Sequence, residues 1–340
     1  MTNFSKYYIV ITLLLLLLFF ANIFIGTIKL PVIDILNSIV GGDKDATSLT
    51  NIIILESRIP QAITALLTGA ALSVSGLMMQ TLFANPLASP SIMGISSGSS
   101  VGVAVVMLLM GGSVSTITGQ MALVFGALIG AIGVLAIIVA FSLRVKNSIM
   151  LLIIGIMVGY IANSAVSLLS YVGSSDGVYT YVMWGMGDFS SVSSSNIGYF
   201  ALFISLALIV SLLTIKPLNA LLLGEGYCEN LGINIKKARI TILVSTGVLT
   251  AVITAFCGPI SFIGLAAPHI ARLVTGTSNH RNLLPITALS GACITLLCNL
   301  ISTSLLSSII IPLNVVTPFL GAPVIIYVII NRKKIPYFSD

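Results

Sequence analysis

The chain has 340 residues, 57% of them hydrophobic and only 7% charged, with a mean hydropathy of +1.14. Soluble domains carry roughly a quarter charged residues, so a water-soluble enzyme or binding module is excluded and the chain is expected in a membrane. The net charge of +6 suits cytoplasmic loops beside anionic headgroups. No basic patch interleaved with aromatics points to nucleic acid.

In chain order, apolar runs cover roughly 9–25, 62–83, 94–111, 119–141, 149–171, 197–215, 240–256, 260–275, 283–303 and 313–330. About 20 helical residues are needed to cross a hydrocarbon core of about 30 Å. The expectation is an all-α polytopic protein of about ten transmembrane helices forming one permease-like domain over 1–340. The third and eighth runs are short and interrupted by Gly, Ser or Pro, and irregular backbone at membrane depth survives only where neighbouring protein covers it.

The first run follows Lys6, as a secretory leader would, but its apolar length and the lack of a small-x-small cleavage site make it a retained helix. Segment 27–57 follows, with Asp34, Asp43, Asp45 and Glu56; helical spacing in PVIDILNSIV places it along the outer surface. With ten alternating helices and Met1 inside, Lys6, Arg144, Lys146, Lys216, Lys236, Lys237, Arg239, Arg272, Arg281, Arg332, Lys333 and Lys334 fall on the cytoplasmic side. Only Lys29, Lys44 and Arg58 remain outside. This asymmetry places both termini in the cytoplasm.

Small residues recur every four positions at Ala65, Gly69 and Ser73, at Gly126 and Gly130, and at Gly155, Gly159 and Asn163. Such faces let helices approach closely in lipid, where apolar contact alone drives little association. NPLASPSIMGISSG follows the second run and GPISFIGLAAPHIARLVTG follows the seventh. The two runs cross in opposite directions, which suggests two four-helix blocks, 60–171 and 240–330, in an inverted pseudo-repeat. The outer segment 172–196 holds Trp184, placed as an interface marker. Cys228, Cys257, Cys293 and Cys298 have neither CxxC nor disulfide spacing and are expected as buried thiols.

The cytoplasmic segment 216–239, KPLNALLLGEGYCENLGINIKKAR, carries Glu225, Glu229, Lys236, Lys237 and Arg239 between two nearly uncharged runs. It is expected as a helix-turn surface for a soluble partner. The chain has no GxxxxGK[ST] phosphate loop, and its nine acids lie in loops or at run ends. The proton relays that an ion-coupled secondary transporter builds within its spans are therefore missing, and that reading is the remote alternative. His269 is expected to hydrogen-bond structurally. An intramembrane hydrolase lacks its nucleophile and base, and a simple channel leaves segment 216–239 unexplained.

RIPQAITALLTGAALSVSGLMMQTLFANPLASPSIMGISSG at 58–98 closely resembles the first signature of the FecCD permease family, the membrane subunits of type II ABC importers. GPISFIGLAAPHIARLVTGTSNHRNLLP at 258–285 and PLNVVTPFLGAPVIIYVIINRKK at 312–334 resemble its later signatures, in the family's order. The resemblance implies a ten-helix inner-membrane subunit that forms a homodimer around the translocation path. Two cytoplasmic ABC ATPases, which use the ATP and Mg, and an external substrate-binding protein would complete the importer. It implies no enzyme activity, cofactor or metal site in this chain.

Family cargoes are ferric siderophores, haem and cobalamin, with a ferric siderophore the default here. The family's ATPase contact falls on Leu221, Gly224, Glu225, Glu229, Leu231, Gly232, Lys236 and Lys237. Its binding-protein docking arginine matches Arg58, whereas Gln61 stands where a second arginine is usual. The family's pore border points to Met78, Met79, Gln80, Leu82 and Phe83, for which core packing is the competing assignment. Asn85, Pro86 and Pro90 are expected to shape the inner gate.

Overall fold

The computed structural model describes residues 3–40, 49–109, 117–145, 147–305 and 310–331. The charge pattern's Asp43, Lys44, Asp45, Lys146, Arg332, Lys333 and Lys334, and positions 110 and 111 of the third run, lie outside them. Among the described residues all regular structure is helical. The elements are α1 (Asn3–Phe24), α2 (Val32–Val40), α3 (Leu49–Asn51), a π-helical stretch Ile52–Arg58, α4 (Ile59–Leu82), α5 (Ile95–Ala104) with a π-helical extension Val105–Leu109, α6 (Ile117–Arg144) and α7 (Ser148–Val172). They continue with α8 (Ser175–Gly185), α9 (Ile197–Leu212), α10 (Ile215–Leu221), α11 (Glu225–Asn230), α12 (Ile235–Cys257), α13 (Ile263–Thr275), α14 (His280–Ser304) and α15 (Leu313–Ile330).

Each apolar run becomes a helix. Six helices are long and apolar enough to cross a bilayer, α3 and α4 running on as one of 34 residues, Leu49–Leu82. α9 and α10 pass the same test only as a pair, bent by 50° between them; Ile95–Leu108, Ile263–Thr275 and Leu313–Val328 are shorter apolar helices. Side chains fix several starts. Asn147, Asn234 and Asn279 accept the first free backbone N–H groups of α7, α12 and α14, at 2.8 Å (Ile149), 3.0 Å (Lys237) and 3.0 Å (Arg281); such caps satisfy donors that the helix itself leaves open.

The bundle is built around α4, buried along most of its length. Small residues set its contacts. A Cβ placed on Gly69 would strike the backbone of Gly291 on α14, and one on Gly76 would strike Gly264 on α13. On the other half, Gly98 and Gly102 of α5 meet Gly130 and Gly126 of α6 in the same way, and Gly94 meets Gly159 of α7. The four-residue spacing of small residues therefore does what lipid-embedded helices require of it.

The two halves answer one another. α4 packs on α13 and α14, and α12 on α5 and α6. α4 gives way to a left-handed Ala84 (φ 45°) and α12 to a left-handed Gly258 (φ 76°); α5 starts behind Gly94 (φ 79°) and α13 behind Phe262 (φ 68°). Both short helices follow irregular segments that reach the bundle interior, where Ser89, Pro90 and Ser91 of one and Ile260 and Phe262 of the other line a single small cavity. The shortness of the third and eighth runs has this cause: part of each span is loop.

Opposite poles of the bundle carry different chemistry. Tyr8 donates to the Asn282 carbonyl (3.1 Å), and Asn219 contacts His280, so the starts of α1 and α14 and helix α10 share one pole. Arg58, the end of α1 and Ile28 share the other.

Candidate functional site

Residues 213–241 link α9 to α12 as a hairpin of α10, α11 and the turn into α12. α10 is anchored by Leu218, fully buried in the main core, and Cys228 on α11 is also buried. Between and beyond these anchors Leu223, Tyr227 and Leu231 are 53%, 66% and 61% exposed. Leu223 stands just before α11, Tyr227 on it and Leu231 just after it, so exposed apolar side chains punctuate the whole turn. Left-handed Gly224 (φ 95°) and Gly232 (φ 74°) bracket α11 and have nothing within 4 Å of an added Cβ. Glu229, Lys236 and Lys237 are exposed.

Arg239 is not part of that surface. It is buried and donates to the Val145 carbonyl at 2.8 Å, tying the start of α12 to the link between α6 and α7. Of the candidate residues, Leu221 is half-buried while Gly224, Leu231 and Gly232 are exposed. Leu223 and Tyr227 were not singled out from sequence, where nothing separates an exposed apolar side chain of this segment from a buried one such as Leu218.

Of the two assignments open for the α4 candidates, burial favours core packing: Met78, Met79 and Gln80 are fully enclosed, and Leu82 and Phe83 nearly so. α4 packs there on α12, α13 and α14. Gln80 accepts from Arg272 Nη1 at 2.6 Å. In the turn that follows, Asn85 Oδ1 accepts from Leu87 N at 2.9 Å, and Pro86 offers its carbonyl to His269 Nε2 at 3.0 Å. Pro90 is buried beside the small interior cavity. His269 thus has the structural bond expected of it.

Arg58 also departs from expectation. Its guanidinium points into the protein, is 7% exposed, and donates to the carbonyls of Ile23 (2.8 Å), Phe24 (3.2 Å) and Ile28. The charge satisfies carbonyls that the C-terminus of α1 leaves open and complements its dipole. An arginine used in this way presents no fork to a docking protein.

At the Arg58 pole a cavity of about 410 Å³ opens among Met107, Met183, Trp184, Asp188, Ile311 and Leu313. Its wall is fastened by Asn314, whose amide donates to the carbonyls of Gly185 (2.9 Å) and Pro259 (2.6 Å) and whose Oδ1 accepts from Ser261 N (3.2 Å). Trp184 stacks obliquely near Tyr181, their centroids 6.1 Å apart. Burial pushes the Tyr181 phenol up, against a smaller opposite effect of its bond with Ser100. The four cysteines are free and buried. No group of three His, Cys, Asp or Glu that would hold a metal gathers among the described residues.

Such a bundle, with short helices fed by interior loops and a hairpin bearing exposed apolar residues, defines a polytopic transport subunit. Comparison with known proteins makes this specific. The sequence profile of the FecCD transport family matches residues 14–331. The chain is 36% identical over 277 residues to the vitamin B12 import system permease protein BtuC of Citrobacter koseri, covering 82% of each chain. It is 32% identical over 281 residues to the hemin transport system permease protein HmuU of Yersinia pestis, covering 82% of this chain and 84% of that one. A solved structure described as "An inward-facing conformation of a putative metal-chelate type ABC transporter" superposes with a TM-score of 0.82 at 28% identity, over 96% of this chain and 99% of its own. The chain belongs to the FecCD transport family and is the permease of an ABC importer.

Proposed function

We propose that this chain moves a metal chelate, with a ferric siderophore the first cargo to test, into the cytoplasm as one half of a homodimeric permease. The observation that carries the reading is the hairpin 213–241. Its apolar residues Leu223, Tyr227 and Leu231 are exposed, yet the segment stands on a foot packed through buried Leu218, the arrangement needed for a part that a soluble motor must push. The hairpin pole faces the cytoplasm, consistent with Lys216, Lys236, Lys237 and Arg281 gathering there, and two ATPase subunits dock on it and consume ATP and Mg. The Arg58 pole faces outward and receives cargo from a substrate-binding protein.

Cobalamin or haem is the second reading, favoured by the named activities of the two relatives. The size of the outer cavity does not choose among these chelates. Reconstitution with the ATPase and binding protein in liposomes tests the proposal by uptake of labelled ferric siderophores, haem and cobalamin. ATP-dependent uptake of one chelate assigns the cargo. No uptake of any of them by an ATP-hydrolysing complex rejects the metal-chelate reading.

A further inference from the structure

Behind the hairpin lies a continuous chain of polar contacts that no feature of the sequence suggested. Asn219 is on α10, at the hairpin's foot. Its Oδ1 accepts from two donors of His280, the backbone N–H at 2.8 Å and ring Nδ1 at 2.9 Å. Because a backbone N–H can only donate, the atom it meets is the amide oxygen, which assigns the proton of the neutral ring to Nδ1. Ring Nε2 is then the acceptor. It lies 2.8 Å from the Thr81 hydroxyl, which is also 3.0 Å from the Leu77 carbonyl.

His280 and Thr81 are almost wholly buried, and in such surroundings a satisfied hydrogen-bond chain is stiff while a broken one is costly. Thr81 sits within the last turn of α4, two residues before Phe83, which is followed by left-handed Ala84 and the Asn85–Pro86 turn. Its neighbour Gln80 is bonded to Arg272 of α13 and accepts from Asn85 N at 3.0 Å. A displacement of α10 is therefore delivered through the first residue of α14 to the end of α4, where the chain enters the interior loop. Asn219 Nδ2 also donates to Asn279 Oδ1 at 3.1 Å, which fixes the orientation of the amide.

We infer that Asn219, His280 and Thr81 are positioning residues for transport, a strut that passes movement of the docking hairpin to the inner end of α4. The inference rests on the proposed docking of an ATPase at that hairpin. None of the three needs to touch cargo or nucleotide. What they supply is stiffness between a driven element and an element that must move.

The test uses the full chain reconstituted with its ATPase and binding protein, and reads uptake per ATP hydrolysed together with thermal unfolding of the complex. Asn219→Leu removes the shared acceptor; Thr81→Val removes the hydroxyl and Thr81→Ser keeps it. Asn219→Leu and Thr81→Val are expected to retain the ATPase and its hydrolysis while uptake per ATP falls at least tenfold, and the Ser variant is expected to stay within about twofold of the unaltered protein, tenfold corresponding to about 1.4 kcal/mol. Unchanged uptake per ATP in Asn219→Leu and Thr81→Val overturns the strut. So does an equal loss in Thr81→Ser, or a loss that only follows the unfolded fraction. Failure of the unaltered chain to retain any ATPase rejects the docking reading instead.

Discussion

Gly69 and Gly291 meet backbone to backbone: a Cβ on either would overlap the carbonyl oxygen of the other. Neither helix can yield without breaking its own hydrogen bonds, so the steric cost falls on the contact between α4 and α14. Gly69→Ala and Gly291→Ala are each expected to destabilise the chain by about 3 kcal/mol, the upper range for overpacking. Gly133→Ala and Gly198→Ala provide the comparison, because nothing lies within 4 Å of an added Cβ there. Thermal unfolding in detergent should separate the two pairs; equal melting would mean that α4 and α14 are not held at this distance.

Arg58 holds the end of α1 through three carbonyls. Its removal strands the Ile23 carbonyl, whose bond is buried, at roughly 1–3 kcal/mol for a buried group left unsatisfied, while water can reach the part-buried bonds to Phe24 and Ile28. Arg58→Ala should therefore lower thermal stability, by about the cost of one stranded buried carbonyl. Stimulation by the binding protein, expressed per folded molecule, should stay unchanged, and a selective loss of stimulation at normal stability would restore the docking role that the sequence suggested.

The contrast with the sequence expectation has a physical cause. Span lengths and short runs were legible because bilayer thickness and Gly/Pro chemistry act locally. The repeat was legible because NPLASP and GPISF interrupt apolar runs at matching places. For Met78, Met79 and Gln80 the choice between core and path stays open in the sequence, since a helix apolar on all sides gives no period to distinguish core, lipid and path. Arg58 and Arg239 were read as surface charges because one-dimensional spacing cannot show a carbonyl cluster turned toward an arginine. The Asn219–His280–Thr81 chain joins residues 61 and 199 positions apart, beyond the reach of any local pattern.

At the hairpin tip, Leu231 is exposed and followed by left-handed Gly232. Leu231→Glu leaves the fold intact because it replaces a side chain in open surroundings, yet it would bury an unpaired carboxylate on docking. The expected result is at least tenfold weaker retention of the ATPase, about 1.4 kcal/mol, with thermal stability of the isolated chain unchanged. Gly232→Val should add a backbone penalty of about 1–2 kcal/mol at φ 74°. Lys236→Glu and Lys237→Glu act through exposed charge, so their effects should shrink at high salt. Normal ATPase retention and coupling in Leu231→Glu would move the docking surface elsewhere.

Asn314 supplies a sharper discrimination, because its two donors face the Gly185 and Pro259 carbonyls while its oxygen faces Ser261 N. Asn314→Asp preserves shape but replaces the donating group with a carboxylate oxygen aimed at two acceptors. Asn314→Ala merely removes the group and leaves room for water from the neighbouring cavity. The aspartate variant should therefore melt below the alanine variant at neutral pH, by the cost of holding a charge against carbonyl dipoles. Lowering the pH protonates that carboxyl and returns one donor, so the deficit of the aspartate variant should narrow in acid while that of the alanine variant stays constant. Thermal unfolding of both variants across pH checks this. An aspartate variant as stable as the unaltered chain would show that Asn314 does not fasten α15 to the end of α8 and the α12–α13 link.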